Sequence, residues 1–295
     1  MREDYFEFRS KYLNPLTDFG FHKIFGTESN KDLLIDFLNQ VIKEESLITD
    51  IKYLQPEQWG NHKTERRAIF DIFCVNEKGE YFIVEMQKAK QLFFRDRSIY
   101  YASLPVQKQA PQGIWDFRLK AVYLVAILDF VLFDEFEKDK EQVIEHVCLM
   151  RESTKTVYSY KLRFTIVELP KFKKTEDELV THFDMWLYLL KNLPKLIDPP
   201  TSVKGEVFEK LFGLTEIKRF KKVDMENYRK SVLEYYDVQD AMECARIEGR
   251  EEGREEGKFL IIQKCLQKNI SIDDIVFITG FSKEQIINYK ANQKL

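Results

Sequence analysis

The sequence predicts an α/β protein with a mixed central sheet flanked by helices and a mostly helical C-terminal region. Two alternating apolar runs, 67–75 and 81–87, flank the turn-forming residues 76–79 and predict a β-hairpin. The nearly continuous apolar run 121–128 is typical of a strand buried on both faces. Much of the remaining sequence has the apolar spacing of helices.

Composition and charge set the broad class of the protein. The 295-residue chain is 44% hydrophobic and 32% charged and contains 24 Phe, which is typical of a globular protein with an aromatic core. This length allows one large domain with an appendage, or two domains. The formal net charge is -3, so a DNA-binding surface would require local clusters of Lys and Arg.

The other predicted elements of the first 200 residues lie on both sides of the hairpin. In chain order they are two helices joined at 26–30, a helix over 91–110, a further strand over 158–169 and a helix over 177–193. Pro194, Pro199 and Pro200 then end the helical pattern. We therefore predict a first domain over residues 1–200 and a helical C-terminal region over 201–295.

The C-terminal region contains a Glu-Gly-Arg repeat over 248–258, with Gly249, Gly253 and Gly257 four residues apart. Like charges at this spacing and interior glycines weaken a helix, so we expect a marginal solvated helix that is a linker or binds a partner, including a second copy of the chain. Short helices are predicted over 259–267 and 272–278, and a capping box of Ser282 and Gln285 predicts a third. The last two helices have the outline of a helix-turn-helix, but an ordinary helical hairpin is favoured.

The hairpin contains the residues that suggest chemistry. If Gly79 closes a three-residue turn, Asn76 pairs with Glu80 and Asp71 lies opposite Glu85. Two facing carboxylates repel each other unless a cation lies between them, and Mg²⁺ prefers such oxygen ligands. Gln87 has the same parity as Glu85 and can hold a water molecule or a phosphate oxygen.

The alternative is that both acids lie on a solvated sheet face, where Arg66, Arg67 or Lys88 neutralises them. The surrounding sequence favours metal binding, because acids ringed by apolar groups are desolvated and need a partner. The apolar residues expected on the face of the acids are Ile69, Phe73 and Ile83, and those expected on the opposite face are Phe70, Ile72, Val84 and Met86.

The strand 71–73, the hairpin and the residues Val84-Glu85-Met86-Gln87-Lys88 resemble the core of the PD-(D/E)XK superfamily. They are most similar to its recombination-promoting nuclease (putative transposase) family, in which E-x-Q replaces E-x-K. Residues 14–21 and 24–26 resemble the opening helix of that family, and residues 97–109, 121–130 and the Glu-Gly-Arg repeat also resemble family segments. One difference is that His22, followed by Lys23, stands where the family usually has Lys.

The resemblance implies a restriction-endonuclease-like fold and a Mg²⁺-dependent DNA endonuclease, with Mn²⁺ as a substitute ion. It implies that Asp71, Glu85 and Asp18 bind the metal, with Gln87 completing the catalytic set. The predicted DNA contacts are Lys23, Arg67, Lys88, Arg97, Tyr101 and Gln109. The basic residues around the hairpin favour DNA as a group, although a solvated charged face explains any single one.

Other function classes lack their motifs. The four histidines match no zinc-hydrolase pattern, and no phosphate-binding loop is present, so we expect no nucleotide cofactor. The charged start of the sequence, the absence of an apolar run of about 18 residues and four separated cysteines predict a cytoplasmic protein that does not enter membranes.

Two other hypotheses fit the nuclease-like pattern less well. One is a nuclease-fold protein that binds DNA or assembles while cleavage is weak or absent; the joint presence of Asp71, Glu85 and Gln87 argues against it. The other is a transposase of the three-acid RNase H type, which is disfavoured because the acids are grouped on one hairpin beside the helical Asp18. Involvement in recombination or mobile elements is implied by the resemblance only.

Overall fold

A computed structural model describes residues 10–42, 47–54, 70–111 and 113–292. The described chain contains one six-stranded mixed sheet with the order β1-β2-β3-β4-β6-β5. Its strands are β1 (Ile51–Tyr53), β2 (Ile72–Asn76), β3 (Tyr81–Gln87), β4 (Val122–Leu128), β5 (Ile144–Met150) and β6 (Val157–Glu168). Strands β3, β4 and β6 are parallel, and the other neighbours are antiparallel.

Among the described residues up to position 220, five α-helices accompany the sheet. They are α1 (Asp18–Phe25), α2 (Lys31–Val41), α3 (Phe94–Lys108), α4 (His182–Asn192) and α5 (Glu206–Thr215). Side chains of α1, α2, α4 and α5 share one apolar core with Ile72, Val84 and Met86 of the sheet. The other core contains Phe73 and Ile83 with side chains of α3. Helices therefore cover both faces, as the sequence predicts for this fold class.

The hairpin forms with the predicted turn. Gly79 has a φ of +77°, which is the left-handed region that glycine enters without strain. The N–H of Asn76 donates to Glu80 O at 3.0 Å, and Ile72 pairs with Val84. Continuing this register by one residue places Asp71 beside Glu85, which confirms the predicted pairing.

Several sequence predictions about the sheet need correction. Phe70 packs in the core of Phe73 and Ile83 rather than on the opposite face, because β2 begins only at Ile72 and strand alternation does not extend back to residue 70. Ile69 lies outside the described residues. The strands β1 and β5 had not been predicted, whereas strand β4 and strand β6 match the predicted runs.

Contacts divide the chain into two units, residues 1–238 and residues 239–295. The predicted domain boundary at residue 200 separates parts of the chain that are expected to fold independently. Contacts alone do not test independent folding, so this boundary stays a prediction. The helix α6 (Lys222–Gln267) includes both the Glu-Gly-Arg repeat and residues 259–267, so the prediction of a separate short helix over 259–267 is wrong. The apolar side chains there continue the spacing of the same helix.

The second unit has a small core of its own, formed by Ile262, Cys265, Ile275 and Ile286. After α6 it contains α7 (Ile272–Thr279) and α8 (Lys283–Asn292). The predicted capping box opens α8: Gln285 N–H donates to Ser282 Oγ at 3.2 Å, and Gln285 Oε1 accepts the Ser282 N–H at 2.8 Å. Within the described part of the chain, no helix is both long and apolar enough to cross a membrane.

Candidate active site

The opening motif of residues 14–20 forms the start of α1. Thr17 caps the helix, because its Oγ1 accepts the Gly20 N–H at 3.1 Å and donates to Asn14 O at 2.8 Å. A Cβ atom on Gly20 would lie 2.1 Å from Asn14 O, so only glycine fits there. This tight turn places Asp18 at the first position of the helix.

Asp71 and Glu85 meet where β2 begins and β3 approaches its end. The N–H of Asp71 donates to Glu85 Oε1 at 3.4 Å, and Asp71 Oδ2 accepts the Met86 N–H at 2.7 Å. The two carboxylates are therefore held next to each other by backbone donors of the opposite strand. Strand pairing alone fixes this contact, which is why the sequence could predict it.

Burial makes the negative charge of this pair unfavourable. Glu85 is only 4% exposed; burial raises the pKa of its carboxyl to about 8, and the nearby Asp71 charge adds to the increase. Asp71 keeps an exposed surface, yet burial of its carboxyl group raises the pKa to about 6. The negative charge of Asp18 adds to this increase. Because solvent reaches Asp71, we attribute the larger energetic cost of ionisation to Glu85.

Gln87 connects the acid pair to helix α3. Its Nε2 donates to Glu85 Oε2 at 3.1 Å, and its Oε1 accepts a hydrogen bond from the Arg97 guanidinium. Arg97 also donates to Gln91 Oε1 and lies 5.6 Å from the centre of the Tyr101 ring. The positive charge of Arg97 lowers the pKa of both Glu85 and Asp71, although burial outweighs it.

Asp18 reaches the edge of this site through Lys88. The Nζ of Lys88 lies 2.6 Å from Asp18 Oδ1, in a salt bridge whose Lys side chain is 13% exposed. Both charges act on the pKa of Asp71, Asp18 raising it and Lys88 lowering it. Among the described residues, no three acidic, histidine or cysteine side chains form a group that could hold a metal ion, so the structure does not bring Asp18 together with Asp71 and Glu85 as the expected three-acid set.

The remaining predicted DNA contacts have different locations. Lys23 forms a salt bridge with Asp224 at 3.0 Å and lies over the Phe220 ring, so its charge already has a partner in α6. Gln109 makes two hydrogen bonds with the backbone of Lys120. Arg67 lies outside the described residues.

Gln109 is far from the acid pair along the sheet. Lys120 lies just before β4, whereas Gln87 is opposite Leu128 at the other end of that strand. A seven-residue strand separates these positions by roughly 20 Å. The structure therefore brings together Asp71, Glu85, Gln87, Lys88, Arg97 and Tyr101, with Asp18 at the edge, and leaves Gln109 apart.

Gln91 is a residue of the site that sequence reasoning missed. It lies in the segment between β3 and α3, and its side chain fixes one end of the Arg97 guanidinium. Nothing in strand or helix periodicity relates residues 91 and 97, since the contact depends on how the loop enters the helix. The only available signal was a glutamine four residues after Gln87.

The donor set of the acid pair fits a divalent metal ion. Asp71 and Glu85 supply hard carboxylate oxygens, and one or two carboxylates completed by water and phosphate are the usual ligands of protein-bound Mg²⁺. A cation would also offset the burial and repulsion that raise the pKa of Glu85. The acids and the Gln87 amide are therefore suited to bind a metal and a phosphate oxygen together.

A comparison of the sequence with protein-family models identifies the family of the chain. The family model described as PD-(D/E)XK nuclease family transposase matches residues 15–245, which include α1, the whole sheet and most of the helices around it. Searches of curated proteins and of solved structures each returned no match. This family indicates a function of the nuclease or transposase type. A match over most of the sequence shows the family: the chain belongs to the PD-(D/E)XK nuclease family transposases.

Proposed function

We propose that this protein is a metal-dependent DNA endonuclease that hydrolyses phosphodiester bonds. The single observation that supports this most is the contact between Asp71 and Glu85, two carboxyl groups with raised pKa values at the end of one hairpin. Perturbed acids grouped in this way are frequent at functional sites. A nuclease family supplies the class of reaction.

Asp71 and Glu85 are the proposed ligands of Mg²⁺, which Mn²⁺ can replace. Such an ion, when bound, lowers the pKa of a water ligand and neutralises negative charge on a phosphate. Gln87 presents its amide between Glu85 and Arg97, where it orients the attacking water or a phosphate oxygen. Asp18 is proposed to help position the metal or the water from the edge of the site, through the Lys88 salt bridge.

The basic and aromatic groups next to the acids are the proposed DNA contacts. Lys88 and Arg97 bring positive charge to the end of the hairpin, and the Tyr101 ring lies beside Arg97. We also propose that Arg67, Lys23 and Gln109 contact DNA. These contacts have less support, because Lys23 and Gln109 already have protein partners. Phosphate contacts position a nuclease on DNA without reading its sequence.

The cellular setting is proposed from more general features. All four cysteines are free thiols, which supports a reducing compartment such as the cytoplasm. The family supports a function linked to recombination or mobile elements. The exposed helix α6 is the proposed surface for homo-oligomer formation, and we propose no nucleotide cofactor.

Nicking of supercoiled plasmid DNA tests the proposal. Wild type is compared in Mg²⁺ or Mn²⁺ with Asp71→Asn and Glu85→Gln, which keep the size of each side chain. Glu77→Gln is the control, since this acid lies in the turn of the same hairpin. We expect wild type and Glu77→Gln to nick the plasmid and both site variants to lose at least about 100-fold in rate.

Equal cutting by all four proteins would place the activity elsewhere. If none of them cuts while wild type still binds DNA, the protein is a nuclease-fold binding or assembly protein. This alternative has one specific observation in its favour, because Asp18 is paired with Lys88 rather than with the two hairpin acids.

A further inference from the structure

Two aromatic side chains, one at the residue before α3 and one within it, face solvent instead of the core. Phe93 is 68% exposed and Tyr100 is 46% exposed. The buried side of the helix is formed by other residues, namely Phe94, Ser98, Ala102 and Pro105. Large exposed aromatic rings so close together in sequence suggest an interaction surface rather than part of the fold.

Helical spacing places these rings next to Arg97. Phe93, Arg97 and Tyr100 are at positions i, i+4 and i+7, so they form one strip along the helix. Arg97 is hydrogen-bonded to Gln87, the partner of Glu85. The strip therefore meets the candidate active site at Arg97, its middle residue.

Tyr101 connects the same strip to the acids. Its ring centre is 6.2 Å from that of Tyr100 and 5.2 Å from that of Phe70, which precedes Asp71. Burial raises the pKa of Tyr101, and the Glu85 and Asp71 charges add to this increase, as expected for a ring close to both carboxylates. The Tyr101 ring therefore lies between Tyr100 and the acid pair.

The chemistry of the strip fits an unpaired nucleic acid strand. Exposed aromatic faces bind bases by stacking, and the cationic groups next to them bind the phosphate backbone. Arg97 lies within the strip, and Lys90 is an exposed cation in the segment that precedes it. An apolar protein partner would not require these cations beside the rings, whereas unpaired DNA strands are bound through both kinds of group.

We propose that Phe93 and Tyr100 stack on unpaired bases of the DNA substrate, so that the enzyme prefers DNA whose strands are separated next to the cleaved phosphate. This inference rests on the proposed function and adds the class of substrate. Bases inside an intact duplex are stacked on each other and offer no free face to these rings. A single-stranded or forked substrate offers such faces.

Binding and cleavage are measured for Phe93→Ala, Tyr100→Ala and the double variant. Ile99→Ala is the matched control, because Ile99 is 54% exposed on the same helix but lies about 160° around the axis from Arg97. The substrates are one labelled sequence as a single strand, as a fork and as a duplex. A 2-aminopurine base in the fork reports stacking through fluorescence quenching, in EDTA so that no cleavage occurs.

We expect wild type and Ile99→Ala to bind the fork more tightly than the duplex and to quench 2-aminopurine. Each alanine variant should lose about 5- to 150-fold of this preference, the range for loss of one stacked base. Tyr100→Phe should retain the preference, since it keeps the ring. Thermal melting of each variant identifies any that fails to fold, and the comparison with Ile99→Ala is then made with the aromatic variant that folds.

The proposal is overturned if wild type binds the fork and the duplex equally, or if the aromatic variants behave like Ile99→Ala. The binding measurement in EDTA is independent of catalysis, so its failure is separate from failure of the proposed nuclease activity. Loss of cleavage in Asp71→Asn together with unchanged fork preference in Tyr100→Ala would support the active site and reject the stacking surface.

Discussion

The side chains of Asp71 and Glu85 are each held by a backbone N–H of the opposite chain segment of the hairpin. The Asp71 N–H donates to Glu85 Oε1 at 3.4 Å, and Asp71 Oδ2 accepts the Met86 N–H at 2.7 Å. Burial and mutual repulsion raise the pKa of Glu85 to about 8. The fold therefore makes this acid harder to ionise than it is in an unfolded chain.

This shift predicts that the protein loses stability as the pH rises. In the unfolded chain Glu85 has an ordinary pKa near 4.5, so between about pH 4.5 and 8 the folded state binds more protons than the unfolded state. Stability is then greatest below the lower pKa and falls until the higher pKa is passed. Glu85→Gln removes the titrating group, so at pH 9 without metal we expect it to be more stable than wild type by about 2–4 kcal/mol.

Urea unfolding at pH 5, 7 and 9 in EDTA measures this difference. Glu209→Gln, at an exposed position of α5, is the control and should follow the wild-type curve. The stability difference between Glu85→Gln and wild type should increase from pH 5 to pH 9. A difference that stays constant with pH would mean that Glu85 is ionised throughout in the folded protein.

The sequence was sufficient for the hairpin and for the buried centre of the sheet, because both depend on local rules. A glycine at the third position of the loop fixed the register of β2 and β3, and an apolar run marked β4. It was insufficient for the edge strands. β1 has only three residues, and β5 has no regular alternation of buried and exposed side chains, so neither has the pattern on which a prediction depends.

For the site, the sequence predicted the contact between Asp71 and Glu85 but not the partners around it. Arg97 reaches Gln87 only because α3 packs on that face of the sheet, and Lys88 meets Asp18 because α1 lies near the end of β3. Such contacts depend on tertiary packing, for which periodicity gives no distance. The family resemblance named these residues without giving their geometry.

Metal binding should reverse the destabilisation caused by the acid pair. We expect millimolar Mg²⁺ or Mn²⁺ to raise the melting temperature of wild type at pH 8, because a ligand that binds only the folded state stabilises it by about 2.7 kcal/mol at 100 times its Kd. Asp71→Asn and Glu85→Gln should show little or no increase, while Glu77→Gln should behave like wild type. An equal increase in all four proteins would indicate a metal site elsewhere.

Arg97 is predicted to act as a positioning residue for Gln87. Its guanidinium donates to Gln87 and to Gln91 at once, which the point charge of a lysine cannot reproduce. We expect Arg97→Lys to lower kcat by about 10- to 100-fold, the equivalent of one hydrogen bond to a charged group, with a smaller change in KM because the positive charge remains. Steady-state cleavage kinetics separate the two constants.

Arg95 provides the control for that experiment. It lies on the same helix, but its guanidinium binds Glu135 and the carbonyl oxygen of Leu132 instead. Arg95→Lys should therefore leave kcat within about twofold of wild type. If Arg97→Lys raises KM and leaves kcat unchanged, Arg97 contributes to DNA binding alone.

Substitution of Gly20 should destabilise the protein, because this glycine allows the turn that places Asp18. A Cβ atom there would lie 2.1 Å from Asn14 O and 2.8 Å from Thr17 Oγ1, so Gly20→Ala must displace the cap of α1. We expect a loss of about 1–3 kcal/mol in the free energy of unfolding, the usual cost of overpacking, and a lower cleavage rate.

In Gly253→Ala the new Cβ has no neighbour within 4 Å in α6, so this variant should gain about 1 kcal/mol of helix stability. Circular dichroism of both variants during thermal unfolding measures the contrast, and an unchanged melting curve for Gly20→Ala would show that the turn relaxes around the new Cβ atom without loss of stability.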